Sequence, residues 1–308
     1  MRINILQYTR GGVVDKAAVA AQLDALRQRE PLAHLTLAFP AGAYKVGSIH
    51  ITSRTTILID PLARLDPTEP DQPLFQSKDT DLISIVGQGR ISFTPTVQTI
   101  SPVPIILLRN CSRVHLEGLL LENTYKRAVT LVACRDVHLE RMTLLATDET
   151  IHITGGSNIE GCNLSINSRD TLIHAATTKD HPLDRLTFRN TTLTGRAASI
   201  LLQADGAPMT NVRLHQCVFS EDSQQLIATV LRGGSLDGLF LEECAFDGAQ
   251  VNVAPADNSA IGLVSFLSPK GLTSAFLSNV SKLVVRGDRS WLKSAELKNV
   301  AFDEAKAI

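Results

Sequence analysis

The sequence predicts an all-β chain: a single-stranded right-handed parallel β-helix, or solenoid, with an N-terminal capping helix. Three observations predict it. An internal repeat of roughly two dozen residues runs through the middle of the chain. Within each repeat the apolar residues recur at every second position. One stretch with helical spacing stands ahead of the repeats.

The repeat is visible as CSRVHLEGLLLEN from Cys111 and CRDVHLERMTLLA from Cys134. It continues as SNIEGCNLSIN from Ser157, LDRLTFRNTTLTG from Leu183, MTNVRLHQCVFSE from Met209 and LDGLFLEECAFDG from Leu236. Anchored on Val114, Val137, Ile159, Leu186, Val212 and Leu239, the steps are 23, 22, 27, 26 and 27 residues. Each unit holds short runs of period two, which is the strand period. Gly, Asn, Asp or Ser breaks the runs. A unit this small cannot bury its apolar side alone, so it stacks on its neighbours. No regular LxxLxLxxN pattern supports a leucine-rich repeat, and the units are too short for propeller blades.

The ends differ from the middle. Residues 15–29 carry helical spacing at Val19, Leu23 and Leu26, with Asp15 placed to cap the N-terminus. A helix here covers strand edges that a solenoid otherwise leaves unpaired. The main coils span about 39–250, and 251–308 form irregular C-terminal coils and a cap, all within one domain of 308 residues. The part from 251 to 277, rich in Ala, Ser, Asn and Gly, reads as a loop or an irregular coil. Nothing in the sequence assigns a role to Trp291.

Composition narrows the function classes. With 44% hydrophobic and 20% charged residues the chain is globular, not disordered. A formal net charge of -1 and no basic stripe argue against nucleic acid as a partner. No apolar run is long enough to span a bilayer, which argues against membrane insertion. The N-terminus does not read as a signal peptide. The expected location is cytoplasmic, or secreted if a leader has been removed. The five cysteines are odd in number, form no CxxC pair and lack zinc spacing with histidine. They read as buried core thiols stacked in the coils, with no metal and no cofactor expected.

From Phe39, FPAGAYKVGSIHITSRTTILIDPLARL resembles the opening of the polygalacturonase family of glycoside hydrolases, family 28, which has the pectin-lyase-like fold. From Ser101, SPVPIILLRNCSRVHLEGLLLEN is similar to the coil before that family's active site. The resemblance runs in order from about residue 3 to about residue 250 and implies an inverting hydrolase of galacturonan-like chains. Its expected partner is a polysaccharide or oligosaccharide containing uronic acid.

That family carries NTD, GDD, GHG and RIK on successive coils. Here ATDETIHI, 146–153, occupies the place of NTD, with Thr147 and Asp148 matching and Ala146 in place of Asn. The segment is one residue longer, so Glu149 is the alternative carboxylate. NSRDTLIHAA, from Asn167, occupies the place of GDD. Asp170 matches the second Asp and Arg169 stands where the first would be. A gap-free count from Cys162 instead puts Ser168 and Arg169 there. Arg196 replaces the His of GHG, and Leu226 and Ala228 replace the basic residues of RIK.

Inversion needs a protonated carboxyl and a second carboxylate about 6.5–9.5 Å away. Arginine cannot be that acid. Three readings stay open: a divergent hydrolase drawing its acid pair from Asp148, Glu149 and Asp170; a uronate lyase or epimerase using Arg169 and Arg196 with the acids; and a non-catalytic glycan-binding or assembly protein. His152 points outward between Ile151 and Ile153. His174, one coil further on, is placed to join it. Both are candidate substrate-binding residues. Tyr125, Lys126 and Arg127 read as an ordinary loop, with a sugar-stacking aromatic flanked by positive charge as the alternative.

Overall fold

The computed structural model describes residues 1–92, 103–124, 127–146, 149–195, 198–220, 225–247, 250–253 and 261–303. Strands pair in parallel from coil to coil in two long sheets, with 20 and 11 strands among the described residues. Parallel strands joined by crossovers wind right-handed. The six anchors read from the sequence are register partners in one unbroken column, from Val114 through Val137, Ile159, Leu186 and Val212 to Leu239.

One coil shows how the chain turns. Val129–Glu140 is a single bent strand whose two halves lie on two different walls. Val129 to Val132 lies on the first wall and Val137 to Glu140 on the second. Thr143–Ala146 then forms the third wall, in the smaller sheet. The next coil begins on the first wall with Ile151–Cys162, paired Val129 to Ile151.

The corners are made by residues in the left-handed region. Arg113, Asp136, Asn158, Arg185 and Asn211, with φ of 52 to 57°, occupy equivalent places between the first and second walls. Arg141, Asn163, Asn190, Gln216, Glu243 and Ser268, with φ of 49 to 55°, do so between the second and third. Such a conformation costs most residues about 1–2 kcal/mol, and Asn and Asp tolerate it best. Asn158 Nδ2 donates to Asp136 Oδ1 at 2.7 Å, tying one corner to the next. Added length is also held at corners. Thr178 and His181 exchange backbone hydrogen bonds of 2.9 and 3.2 Å around Lys179 and Asp180, within the 27-residue step from Ile159 to Leu186.

Inside the coils, like positions stack as the repeat requires. Cys111, Cys134, Cys217 and Cys244 are buried free thiols, and Cys162 is partly exposed. Phe219 lies flat on Phe246, ring centres 5.1 Å apart. Both ends of the core are covered. The helix Lys16–Arg29 buries Val19 and Leu23, and the Asp15 side chain accepts from Ala18 N at 3.0 Å. At the other end Trp291 is 2% exposed, packs on Phe266 at 4.9 Å, and donates from Nε1 to Asp288 O.

The part from 251 to 277 holds more order than its composition suggests. Gln250–Val253, Ile261–Leu267 and Ser274–Arg286 extend the long sheet, with Leu239 pairing to Val264 and Leu241 to Phe266. Among the described residues, a shift of register lies later, where pairing with Glu296–Phe302 shifts between Val280 and Leu283. No helix of the described residues is long and apolar enough to cross a membrane.

Candidate functional site

The site lies on the outer side of the first wall. In Ile151–Cys162, Ile151 and Ile153 turn inward and are buried, which sends His152 and Thr154 outward. One coil on, Ile173 and Ala175 are inward, so His174 is outward and pairs with His152. One coil back, Thr130 occupies the same column. One coil forward, Gln203 lies in the column of Thr154 and Ala176. Arg127 and Glu149 each stand two residues before Val129 and Ile151, which are themselves partners. Stacking therefore brings Arg127 and Glu149 to one edge of the wall.

There, Glu149 is the hub. Its Oε2 receives His152 Nδ1 at 3.0 Å and Arg127 Nε at 2.7 Å, and its Oε1 receives His174 Nδ1 at 2.9 Å. The two imidazoles meet edge to face, ring centres 4.7 Å apart at 89°. Their outer nitrogens are also held: His152 Nε2 lies 3.0 Å from Thr154 Oγ1 and His174 Nε2 lies 3.2 Å from Gln203 Oε1. Gln203 Nε2 donates in turn to Asp205 Oδ2 at 2.5 Å. The side chains of Glu149, His152 and His174 are only 18, 13 and 12% exposed, so this is a recessed floor with edges open to solvent.

Burial acts to raise the Glu149 pKa. Hydrogen bonds from His152 and His174, with the positive charge of His174 and Arg127, outweigh it and hold the carboxyl well below the usual range. Glu149 is therefore an anion at neutral pH and not a general acid.

Of the candidates from sequence, the structure brings Glu149, His152 and His174 into direct contact. Asp170 and Arg169 are exposed in the turn that precedes the first wall. Asp170 is engaged in that turn, its Oδ1 accepting from Thr171 N at 2.8 Å and its own N–H donating to Ser168 Oγ at 3.2 Å. Asp148 and Arg196 lie outside the described residues, as do Tyr125 and Lys126. The sequence reads Arg127 as part of an ordinary loop and gives Thr154, Gln203 and Asp205 no mark of their own. The signal for Gln203 and Asp205 was the alternation in ASILLQAD, which sends them to the same face as His174.

One donor atom each from Glu149, His152 and His174 lie within 4.8 Å of one another. The expectation of no metal rested on spacing along the chain, whereas this group assembles across two coils. A second such group, His115, Glu117 and Glu140, lies on the second wall. Its two carboxylates are both bridged by Arg141, so it belongs to a ladder of ion pairs.

No protein-family model matches the chain, and no curated protein sequence matches it. Solved structures do. The exopolygalacturonase of Thermotoga maritima, a hyperthermoactive enzyme, superposes with a TM-score of 0.65 at 11% identity, over 99% of this chain and 92% of that one. The family 28 exopolygalacturonase of Yersinia enterocolitica superposes with a TM-score of 0.62 at 12% identity, over 97% of this chain and 77% of that one. The chain shares their parallel β-helix fold. At this identity the likeness concerns the fold alone.

Proposed function

We propose that this protein is carbohydrate-active and takes a uronic-acid-containing polysaccharide along the outer face of its first wall, centred on Glu149, His152 and His174. The observation that carries this reading is the convergence of Arg127, His152 and His174 on Glu149 from three successive coils. Glu149, His152 and His174 belong to the segments 146–153 and 167–176, which stand at the NTD and GDD positions in the resemblance to family 28 enzymes. A recessed edge that sets the Arg127 guanidinium beside two imidazoles suits an acidic sugar, because a carboxylate that leaves water needs polar donors in return.

Among the described residues, neither Glu149 nor Asp170 fits the acid of the carboxyl-pair hydrolysis that the resemblance implies. That reaction needs a protonated carboxyl, and Glu149 is held ionised. Asp170 caps its own turn in the open. The working end of the site is therefore the His152–His174 end, where proton transfer or polarisation of the sugar can take place. Action at a carbon beside the sugar carboxylate, as in elimination or epimerisation, fits this set better than inversion does.

The test is incubation of the protein with polygalacturonate, alginate and a neutral glucan. New reducing ends, near-ultraviolet absorbance of unsaturated products and exchange of sugar carbon-bound protons are read together with binding. The expected result is binding and change of an acidic polymer, lost in His174→Ala with the fold retained by circular dichroism. Binding of an acidic polymer without change would make the protein a non-catalytic glycan binder. Neither binding nor change with any acidic polymer would remove the reading.

A further inference from the structure

The hydrogen-bond directions around His174 call for positive charge beside it. Gln203 gives its Nε2 to Asp205, so its Oε1 faces His174 Nε2 and can only accept. Glu149 Oε1, on the other side of the ring, is a carboxylate oxygen and also can only accept. A neutral imidazole has one N–H and cannot satisfy both. A positive species is needed between His174 Nδ1 and Glu149. A second proton is one answer, and a metal ion is the other.

Three features favour a metal. The donor set is two histidine nitrogens and one carboxylate oxygen, the ligand types of catalytic zinc sites that keep a position open. Both imidazoles have their remote nitrogens fixed, by Thr154 and by the Gln203–Asp205 relay, which is how outer partners set ligand tautomer and direction. The Thr130 hydroxyl, in the same outward column as His152, is 94% shielded and has no hydrogen-bond partner among the described residues, which is a polar group beside the cluster suited to a ligand.

We infer that Glu149, His152 and His174 form a binding site for one divalent transition-metal ion of the zinc type. The ion takes Nδ1 of each histidine and one oxygen of Glu149, while the other oxygen stays with Arg127. Protons at the two Nδ1 atoms leave to solvent as the ion enters. Zinc ligands about 2.0–2.1 Å from the ion lie about 3.3 Å apart, so the 2.9 Å contact of His174 Nδ1 to Glu149 Oε1 needs to open by only a few tenths of an ångström, and one donor atom of each of the three residues lies within 4.8 Å of the others. A fourth position would carry water or an oxygen of the sugar. An ion there acidifies its water or polarises a carboxylate, which would supply the working end of the proposed glycan site. The inference shares that site, but metal binding is measured with no glycan present.

The experiment uses the full chain, stripped with a chelator, dialysed and titrated with Zn2+ against a chromophoric chelator near pH 7. Substitution by Co2+ reports the coordination by its visible spectrum. The expected result is one tightly held ion per chain with proton release and a tetrahedral or five-coordinate Co2+ spectrum. His152→Ala and His174→Ala should each weaken binding by more than about 100-fold, and Gln203→Ala, which removes a positioning partner, by about 10–100-fold. His115→Ala should bind as wild type does. No stoichiometric ion in the wild type, or loss of the ion in His115→Ala and not in His174→Ala, would overturn the inference. If a ligand variant fails to fold, wild-type stoichiometry and the Co2+ spectrum still decide. Zinc binding with neither binding nor change of any acidic glycan would sink the function and leave the metal site standing. Glycan turnover by metal-free protein would do the reverse if zinc does not bind.

Discussion

Gly161 and Phe188 are register partners on adjacent coils, and the ring of Phe188 fills the space where Gly161 has no side chain. A Cβ at Gly161 would lie 2.4 Å from Phe188 Cδ1 and 2.5 Å from Cε1. Both residues belong to an inward column that is otherwise leucine on either side, through Leu139 below and Leu214 above. Gly161→Ala should therefore destabilise by about 1–3 kcal/mol through overpacking. The double variant Gly161→Ala/Phe188→Leu should recover part of that loss. Denaturant unfolding of the two proteins beside wild type measures it, and simple additivity of the two changes would contradict it.

Glu149 carries a pH signature. Its folded-state pKa lies below the ordinary carboxylate value of about 4.3, so its stabilising contribution is complete above that value and fades as pH falls toward the folded one. In chelated buffer, Glu149→Gln should cost about 3 kcal/mol at pH 7 by leaving two imidazoles and Arg127 without their shared anion. The gap from wild type should narrow below about pH 4. Unfolding midpoints across pH 3 to 8 read this, and a constant gap would speak against a depressed Glu149.

Thiol chemistry separates the five cysteines. Cys111, Cys134, Cys217 and Cys244 are at most 1% exposed, and Cys162 is only partly covered. An aromatic disulfide reagent should modify Cys162 first in native protein and reach the other four only on unfolding. Mass mapping of the labelled peptides is the measurement. Rapid labelling at Cys134 or Cys244 would mean the stacked interior is not as tight as described.

Trp291 closes the C-terminal end of the core, and the chain has no other tryptophan. Its emission should be blue-shifted in the native state. Trp291→Ala should cost about 3–5 kcal/mol, felt mainly by its neighbours Ile261–Leu267 and Ser274–Arg286, since solenoid coils depend on adjacent ones. Hydrogen exchange should quicken there while Val129–Glu140 stays protected. Equal quickening throughout would show a single cooperative unit instead.

The walls were legible in the sequence because burial imposes alternation, and alternation survives in the letters. Val114 through Leu239 could be aligned by eye and are partners in space. Corners were legible where Asn or Gly fills the left-handed position, as at Asn158, and hidden where Arg113, Arg185 or Glu243 does so. The strands in 251–277 were missed because Ala, Ser and Gly carry little alternation signal of their own. At the site, His152 and His174 were visible as outward neighbours. Arg127 was not, because its meaning comes from stacking one coil beneath Glu149. The fixing of His174 by Gln203 and Asp205 depends on side-chain directions that no spacing rule encodes.

The left-handed corners separate two tasks that most folds leave entangled. Because each flat run is keyed to the run beneath it and surplus residues are shunted into bends, as between Thr178 and His181, a bend can be lengthened or swapped without shifting any rung out of step. The molecule is thus a frame on which recognition can be rewritten at the edges while the ladder keeps its count.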